Sequence, residues 1–244
     1  MMISVSGGLI LQHVLVLVMI VVTPLYDWYE IPRLKASTNP RKKIGFYRTI
    51  VVSEWVCALV AVGTIGMATV FFLRRVQGEI GWLDAGSRWR IFAEGMTAGA
   101  FLVILLPAVI ALRSEKLREK SVKASKRLRF MLPSTGEERR WWWLLCITAG
   151  ICEEILYRGF LLHYLHTMPF HLNLTWALVV SSLIFGIGHS YQGVAGMVST
   201  AVIGFLLGVM FLITGSLWLP IVVHAVMDLR VLAMLPEGFD AVPA

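Results

Sequence analysis

Residues 194–214 read VAGMVSTAVIGFLLGVMFLIT, with no acidic, basic or histidine side chain anywhere in the run. A helix needs about 20 apolar residues to cross the hydrocarbon core of a bilayer, and this stretch reaches that length. A helix on a water-facing globule would show one apolar stripe and one polar face, whereas here every face is apolar. The composition of the whole chain agrees. Its 244 residues are 57% hydrophobic and 15% charged, with mean hydropathy +0.75. Soluble domains are nearer a quarter charged, so there is too little polar surface to cover a globule in water. Lipid cannot satisfy open backbone groups, which predicts helical spans. The short alternating segments of a transmembrane β-barrel are not seen.

Outward from this run, further apolar blocks fall at 9–26, 49–73, 91–112, 141–163, 174–188 and 217–235. The block at 174–188 is short enough to be a helix packed inside protein. The fold expected is therefore all-α, a polytopic transmembrane helix bundle of about seven spans, or eight. The first block has no basic residue before it and no small-x-small cleavage site after it, so it reads as a membrane helix and not a signal peptide. Residues 1–112 form an N-terminal set of helices, 113–140 a basic loop and 141–235 a core, together making one membrane domain.

Lysine and arginine mark the sides of the membrane. Arg33, Lys35, Arg41, Lys42, Lys43 and Arg48 crowd the first loop, and a denser cluster runs from Arg113 to Arg140. The loop from Tyr164 to Asn173 has neither residue type. The positive-inside rule then places the first and third loops in the cytoplasm, the N-terminus outside and the C-terminus inside. The expected location is an integral multi-pass position, in the cell membrane if the source is prokaryotic. The sequence pI near 9.6 could suggest nucleic acid, but these charges flank spans and do not interleave with aromatics on one soluble face. Contact with anionic lipid accounts for them better, and no nucleic-acid partner is expected. Residues 113–140 could form an amphipathic stretch on the cytoplasmic surface.

Cys57, Cys146 and Cys152 sit in apolar blocks at spacings that suit neither a zinc site nor a disulfide framework. Cys152 precedes two glutamates, which disfavour a thiolate, so it reads as a small buried residue.

Charge inside a span is costly, about 2.5 to 3.5 kcal/mol on insertion scales, and marks function. The block at 141–163 holds Glu153, Glu154 and Arg158 in the string Cys152-Glu-Glu-Ile-Leu-Tyr-Arg158-Gly. Glu154 and Arg158 are four apart, share a helix face and can pair. Glu153 points elsewhere and is left for chemistry. A bland alternative is one buried ion network that only ties helices together. His189 closes the block at 174–188, and His224 lies in the last block with Asp228 four residues on. A polar pocket shared among these three blocks would satisfy all of these groups, whereas lipid would satisfy none. His13, His163, His166 and His171 read as interfacial. Glu54 and Glu94 could line the same cavity or pair with loop arginines.

The strings Glu153-Glu154-x-x-x-Arg158, Phe185-x-x-x-His189 and His224-x-x-x-Asp228, in this order, resemble the three motifs of the CPBP intramembrane protease family. That family includes the Rce1-like type II CAAX prenyl endopeptidases and bacterial Abi proteins. The run from Thr214 to His224 resembles the approach to the last motif, and the resemblance covers roughly 140–232. Asp228 is a departure, because CAAX-processing members usually have Asn there. The resemblance implies a glutamate-dependent endopeptidase. Glu153 would be the general base and His189 would hold and polarise a water. His224, supported by Asp228, would stabilise the oxyanion, while Glu154 and Arg158 keep Glu153 aimed.

The resemblance favours hydrolysis without a cofactor. The alternative is zinc, which two carboxylates and two histidines could ligate, although no His-Glu-x-x-His is present. The partner implied is a membrane-associated protein or peptide substrate, whose identity and prenylation the sequence leaves open. Two other classes compete: a catalytically silent binding or immunity protein, and a proton-coupled transporter, which also places acids and histidines at the midplane.

Overall fold

The computed structural model describes residues 5–37, 39–66, 84, 86–124, 126–167, 170–236 and 239. These residues form helices and connecting turns, with no strand among them. Helix α1 (Val5–Leu17) continues through a π-helical stretch, Val18–Val22, into α2 (Thr23–Lys35). Pro24 has no N–H to offer an α-helical ladder. Just before it the turn is widened, and the Val18 carbonyl accepts both the backbone N–H of Thr23 and its hydroxyl, the latter at 3.1 Å.

Asn39 caps α3 (Pro40–Ile65) by accepting from the Arg41 N–H, with Pro40 at the first helical position. Ser87 caps α4 (Arg88–Ala111) in the same way. A short α5 (Glu115–Ala124) and a 3-10 turn (Lys126–Met131) follow. Then comes one long helical rod made of α6 (Gly136–Glu153), a π-helical segment (Glu154–Leu161) and α7 (Leu162–Thr167). The bundle is completed by α8 (Leu174–Gly188), α9 (Val194–Thr214) and α10 (Trp218–Met234).

The outer surface is apolar. Leu102 is 68% exposed, Val103 73% and Val194 75%, a distribution that suits lipid and not water. Trp28, Trp89, Trp176 and Trp218 are also exposed, and each stands in α2 or within the first residues of its helix, as interfacial tryptophans do. The chain is an all-α, polytopic, integral membrane protein.

The expected number of spans is only partly met. Among the described residues, four helical runs are long and apolar enough to cross a membrane: Gly7–Lys35, Arg41–Ile65, Arg88–Ala111 and Val194–Thr214. The blocks at 141–163, 174–188 and 217–235 are helical but differ in kind. The first contains Glu153, Glu154 and Arg158. Helix α8 spans about 22 Å at 1.5 Å per residue, short of a hydrocarbon core of about 30 Å. Helix α10 is only slightly longer and carries His224, Asp228 and Arg230. All three contribute to the protein interior, where Phe160, Leu161, Leu178, Phe185 and Met227 are buried, so they are freed from matching lipid thickness. Residues 67–73 of the expected second span lie outside the described residues.

Two loops expected on one side of the membrane meet each other. The Lys43 ammonium donates to the Leu132 carbonyl at 3.0 Å and to Glu138 Oε2 at 3.1 Å. The Tyr47 hydroxyl donates to the Met131 carbonyl. The end of α10 joins them, since Leu235 packs with Leu132 and Val122. The stretch 113–140 does not simply lie along a surface: its Ser121, Val122, Leu128, Met131 and Leu132 wall a cavity that leads to the buried acids.

Candidate active site

The site begins with how α6 is started. Thr135 accepts from the Glu138 N–H at 3.1 Å, and Glu138 Oε2 accepts in return from Thr135 N at 3.4 Å, a capping box. The same oxygen accepts from the Ser134 N–H at 2.7 Å and the Ser134 hydroxyl at 2.8 Å. Burial alone would push the Glu138 carboxyl up, but the bonds from Ser134 and the Lys43 ammonium outweigh it and hold its pKa below the ordinary value. This fixed start sets the phase of the helix up to Glu153.

At Glu154 the rod changes from α to π geometry. Single π turns inside α-helices are frequent at functional sites, and this one coincides with the motif. The Tyr157 carbonyl within it accepts from the Leu162 N–H and from the Ser181 hydroxyl of α8 at 2.8 Å. Glu154 is fully buried, and Arg158 is 3% exposed. They pair as expected, with Arg158 Nη1 at 2.7 Å from Glu154 Oε1.

Glu154 does more than the sequence suggested. The same Oε1 lies 2.8 Å from His224 Nδ1. A carboxylate oxygen already accepting from arginine can only accept again, so His224 carries a proton on Nδ1 and presents Nε2 to the site. Nε2 stands 3.6 Å from Glu153 Oε2 and 3.6 Å from Asp228 Oδ2. Both separations exceed a hydrogen bond. Glu154 holds the ring at Nδ1, and Asp228, which the sequence reading gave the task of supporting His224, faces its other nitrogen from the more exposed side.

His189 caps the end of α8, where its Nδ1 donates to the Phe185 carbonyl at 2.8 Å. Its Nε2 is thereby left as a lone pair in the neutral ring. Phe185 gathers the motifs together. Its ring centroid is 4.7 Å from that of His189, 6.0 Å from that of His224, and 4.5 Å from the Arg158 guanidinium. Close helix packing permits this. A Cβ on Gly150 would lie 2.7 Å from that of Ala225 in α10, and one on Gly204 would lie 2.8 Å from the Phe185 ring.

A cavity of about 330 Å³ reaches the site. Glu153, His189 and Asp228 line one part of it, and Trp142, Leu145, Val231, Met234 and Leu235 form apolar walls. Sequence reasoning left Glu54 unplaced, and it lines this cavity from α3. It passed over Asp27 and Tyr191, which line it too. Asp27 was findable as a carboxylate within a long apolar helix; Tyr191 carried no such signal. Glu94 pairs with Arg90 at 2.9 Å and is not in the cavity. His13 reaches Tyr164 at 3.4 Å and His166 reaches the Leu172 carbonyl at 2.9 Å, both away from the site. The three cysteines are free, with Cys146 and Cys152 buried.

The zinc alternative can be tested on the donors themselves. Among the described residues, no three His, Cys, Asp or Glu side chains are grouped so as to hold a metal ion. His224 gives its Nδ1 to Glu154 and His189 gives its Nδ1 to a carbonyl, and the remaining His224 nitrogen stands 3.6 Å from each of two carboxylates, a donor set that is not grouped at metal-ligand distances. The residues do not fit a resident zinc.

Fold and site together define a polytopic helical membrane protein with a buried acid–histidine centre reached through one cavity. Residues 136–230 match the family model described as Type II CAAX prenyl endopeptidase Rce1-like, so this part of the chain is a CPBP/Rce1-like domain. All three motifs fall within the matched stretch. No curated protein and no solved structure matches the chain.

Proposed function

We propose that the protein is an intramembrane endopeptidase that hydrolyses a peptide bond in a membrane-associated protein or peptide, using a water activated by Glu153. The observation that carries this reading is the placing of His224 Nε2 between Glu153 and Asp228, 3.6 Å from each, with His189 in the wall of the same cavity. A water in that space can give one hydrogen to Glu153 and another to the His189 lone pair. Its oxygen then bonds to the carbonyl carbon. His224, donating from Nε2 as an imidazolium, meets the developing oxyanion; one such donor is commonly worth about 10² to 10³ in turnover. Glu154 orients that imidazole from behind and Arg158 holds Glu154. Asp228 supports the positive ring from the open side and does not itself donate. The matched family supports the CPBP/Rce1 type of glutamate-dependent enzyme.

We further infer seven membrane-associated helical segments, with the first and third loops, the C-terminus and the cavity mouth cytoplasmic and the N-terminus outside. Juxtamembrane lysines and arginines then meet anionic lipid.

The deciding experiment compares protein N-termini in membranes carrying the native protein and Glu153→Gln at equal abundance. New N-termini that require Glu153 establish the protease and identify substrates. Matching profiles from two folded proteins would remove the hydrolase reading.

A further inference from the structure

Hydrolysis of a peptide bond needs a second proton transfer, to the leaving nitrogen, and the motif residues leave it unassigned. The structure offers another carboxyl group for it. Glu54, on α3, lies outside the matched stretch and opposite Glu153. Its carboxyl and that of Glu153 line the same cavity, on helices α3 and α6 that pack against each other. The Oε2 atoms of Glu54 and Glu153 are each buried and without any hydrogen-bond partner. Two ionised carboxyls in one buried pocket repel. A single shared proton turns that repulsion into a short hydrogen bond. Helix α3 is held at this register by the neighbouring residue, since the Trp55 indole donates to the Thr148 hydroxyl of α6 at 3.2 Å.

Resting on the protease reading above, we propose that Glu54 is a further catalytic residue: Glu54 and Glu153 hold one proton between them, and Glu54 delivers it to the leaving nitrogen. At the start Glu153 is the ionised member and Glu54 the acid. Glu153 takes a proton from the water as its oxygen bonds to the carbonyl carbon, and the carbonyl electron pair moves onto oxygen. When the C–N bond breaks, its electron pair stays on nitrogen, which takes the Glu54 proton. The products are a carboxylic acid and an amine. The proton now on Glu153 crosses to Glu54 and restores the starting state. Seven other titratable groups face the same cavity and share its field: Asp27, Cys146, Tyr157, His189, Tyr191, Asp228 and Arg230.

The pair is tested first on the full-length protein alone, by infrared difference spectra near neutral pH in lipid. The carbonyl band of a protonated carboxyl is expected to vanish in Glu54→Gln and equally in Glu153→Gln, while Glu54→Asp keeps a shifted band. A band that survives Glu54→Gln, or is absent from the native protein, overturns the shared proton. This reading does not depend on any cleavage. The role is tested with a peptide cut in a Glu153-dependent manner and its ester counterpart, whose leaving alkoxide needs less help from an acid. Glu54→Gln should lower peptide turnover about 10²-fold or more and ester turnover less than about threefold, and should abolish the alkaline limb of the peptide pH profile. Equal loss on both substrates, or none on either, overturns the assignment. If no Glu153-dependent peptide exists, the protease reading itself has failed, and the infrared result still judges the pair.

Discussion

Arg158 and Gly204 are 46 residues apart in the chain, yet the Arg158 guanidinium donates to the Gly204 carbonyl at 3.0 Å while its other arm holds Glu154. One side chain thus ties α9 to the π segment and pairs the charge of Glu154. Breaking a buried ion pair leaves the partner's charge stranded, at a cost of about 3 to 5 kcal/mol. Arg158→Met should therefore lower the unfolding temperature in detergent and reduce folded yield, with Arg158→Lys intermediate because it lacks the second arm. Unchanged thermal unfolding of Arg158→Met would show that Glu154 does not depend on it.

Glu154 fixes which nitrogen of His224 faces the cavity. In Glu154→Gln the carboxylate that holds the imidazolium is gone and the amide can present N–H instead of oxygen to Nδ1, so the ring is free to lose a proton or to turn. Turnover should fall by about two orders of magnitude, with KM little changed, because the loss falls on the transition state. Nitrogen-15 spectra of His224 should show the changed protonation of the ring. Equal activity in the two proteins would return Glu154 to a purely structural role.

Gly150 lets α6 approach α10 until any Cβ would meet Ala225, at 2.7 Å from its Cβ and 2.9 Å from its backbone. Gly150→Ala should push the helices apart, destabilise by about 1 to 3 kcal/mol and weaken the His224–Glu154 bond. Adding Ala225→Gly removes the Cβ contact and leaves the backbone ones at 2.9 Å, so it should recover part of both losses, read as unfolding temperature and turnover. A double variant no better than the single one would point to another cause.

Glu138 gives a pH dependence outside the spans. Its folded value is below its unfolded one, so the stability it contributes is present above the ordinary carboxylate range and is lost as pH falls through the folded value. Unfolding temperature should decline on acidification below about pH 4.5, the ordinary carboxyl value. Glu138→Gln should flatten that decline and lower stability near neutrality. A decline of the same steepness in the variant would assign it to other carboxylates.

The inferred sidedness can be checked by single cysteines in a background lacking Cys57, Cys146 and Cys152. Lys120→Cys should react with a membrane-impermeant thiol reagent only from the cytoplasmic side, and His171→Cys only from outside. The opposite pattern would invert the topology.

Much of this architecture was legible in the sequence. The blocks at 174–188 and 194–214 match α8 and α9 to the residue, because each is uniformly apolar and bounded by clear signals. Asn173 caps the first, Gly193 at φ 79° opens the second, and Gly215 at φ 64° closes it. Glu154 and Arg158 pair as their spacing required. What the sequence withheld is what arises between helices. Spacing along one helix cannot show that Glu154 reaches His224 on another, nor that Asp228, at the favourable spacing of four, stops at 3.6 Å. Glu54 stood alone in its block, and only the packing of α3 on α6 turned it toward Glu153. The stretch 113–140 reads as surface from its charge, yet its few apolar residues enter the cavity wall.

The π segment has a consequence for insertions and deletions. A π turn accommodates one residue more than the α-helix it interrupts. Removing one residue between Glu154 and Leu161 would let the rod return to a continuous α-helix with α6 and α7 still in phase, whereas closing the π turn at unchanged length would rotate every side chain beyond it by about 100° relative to those before it. A one-residue deletion here removes the widened turn and keeps the helices in phase, whereas a one-residue insertion that the turn does not absorb would unphase α7 from α6 as a whole. The length of this segment is thus a part of the site as definite as the identity of Glu153.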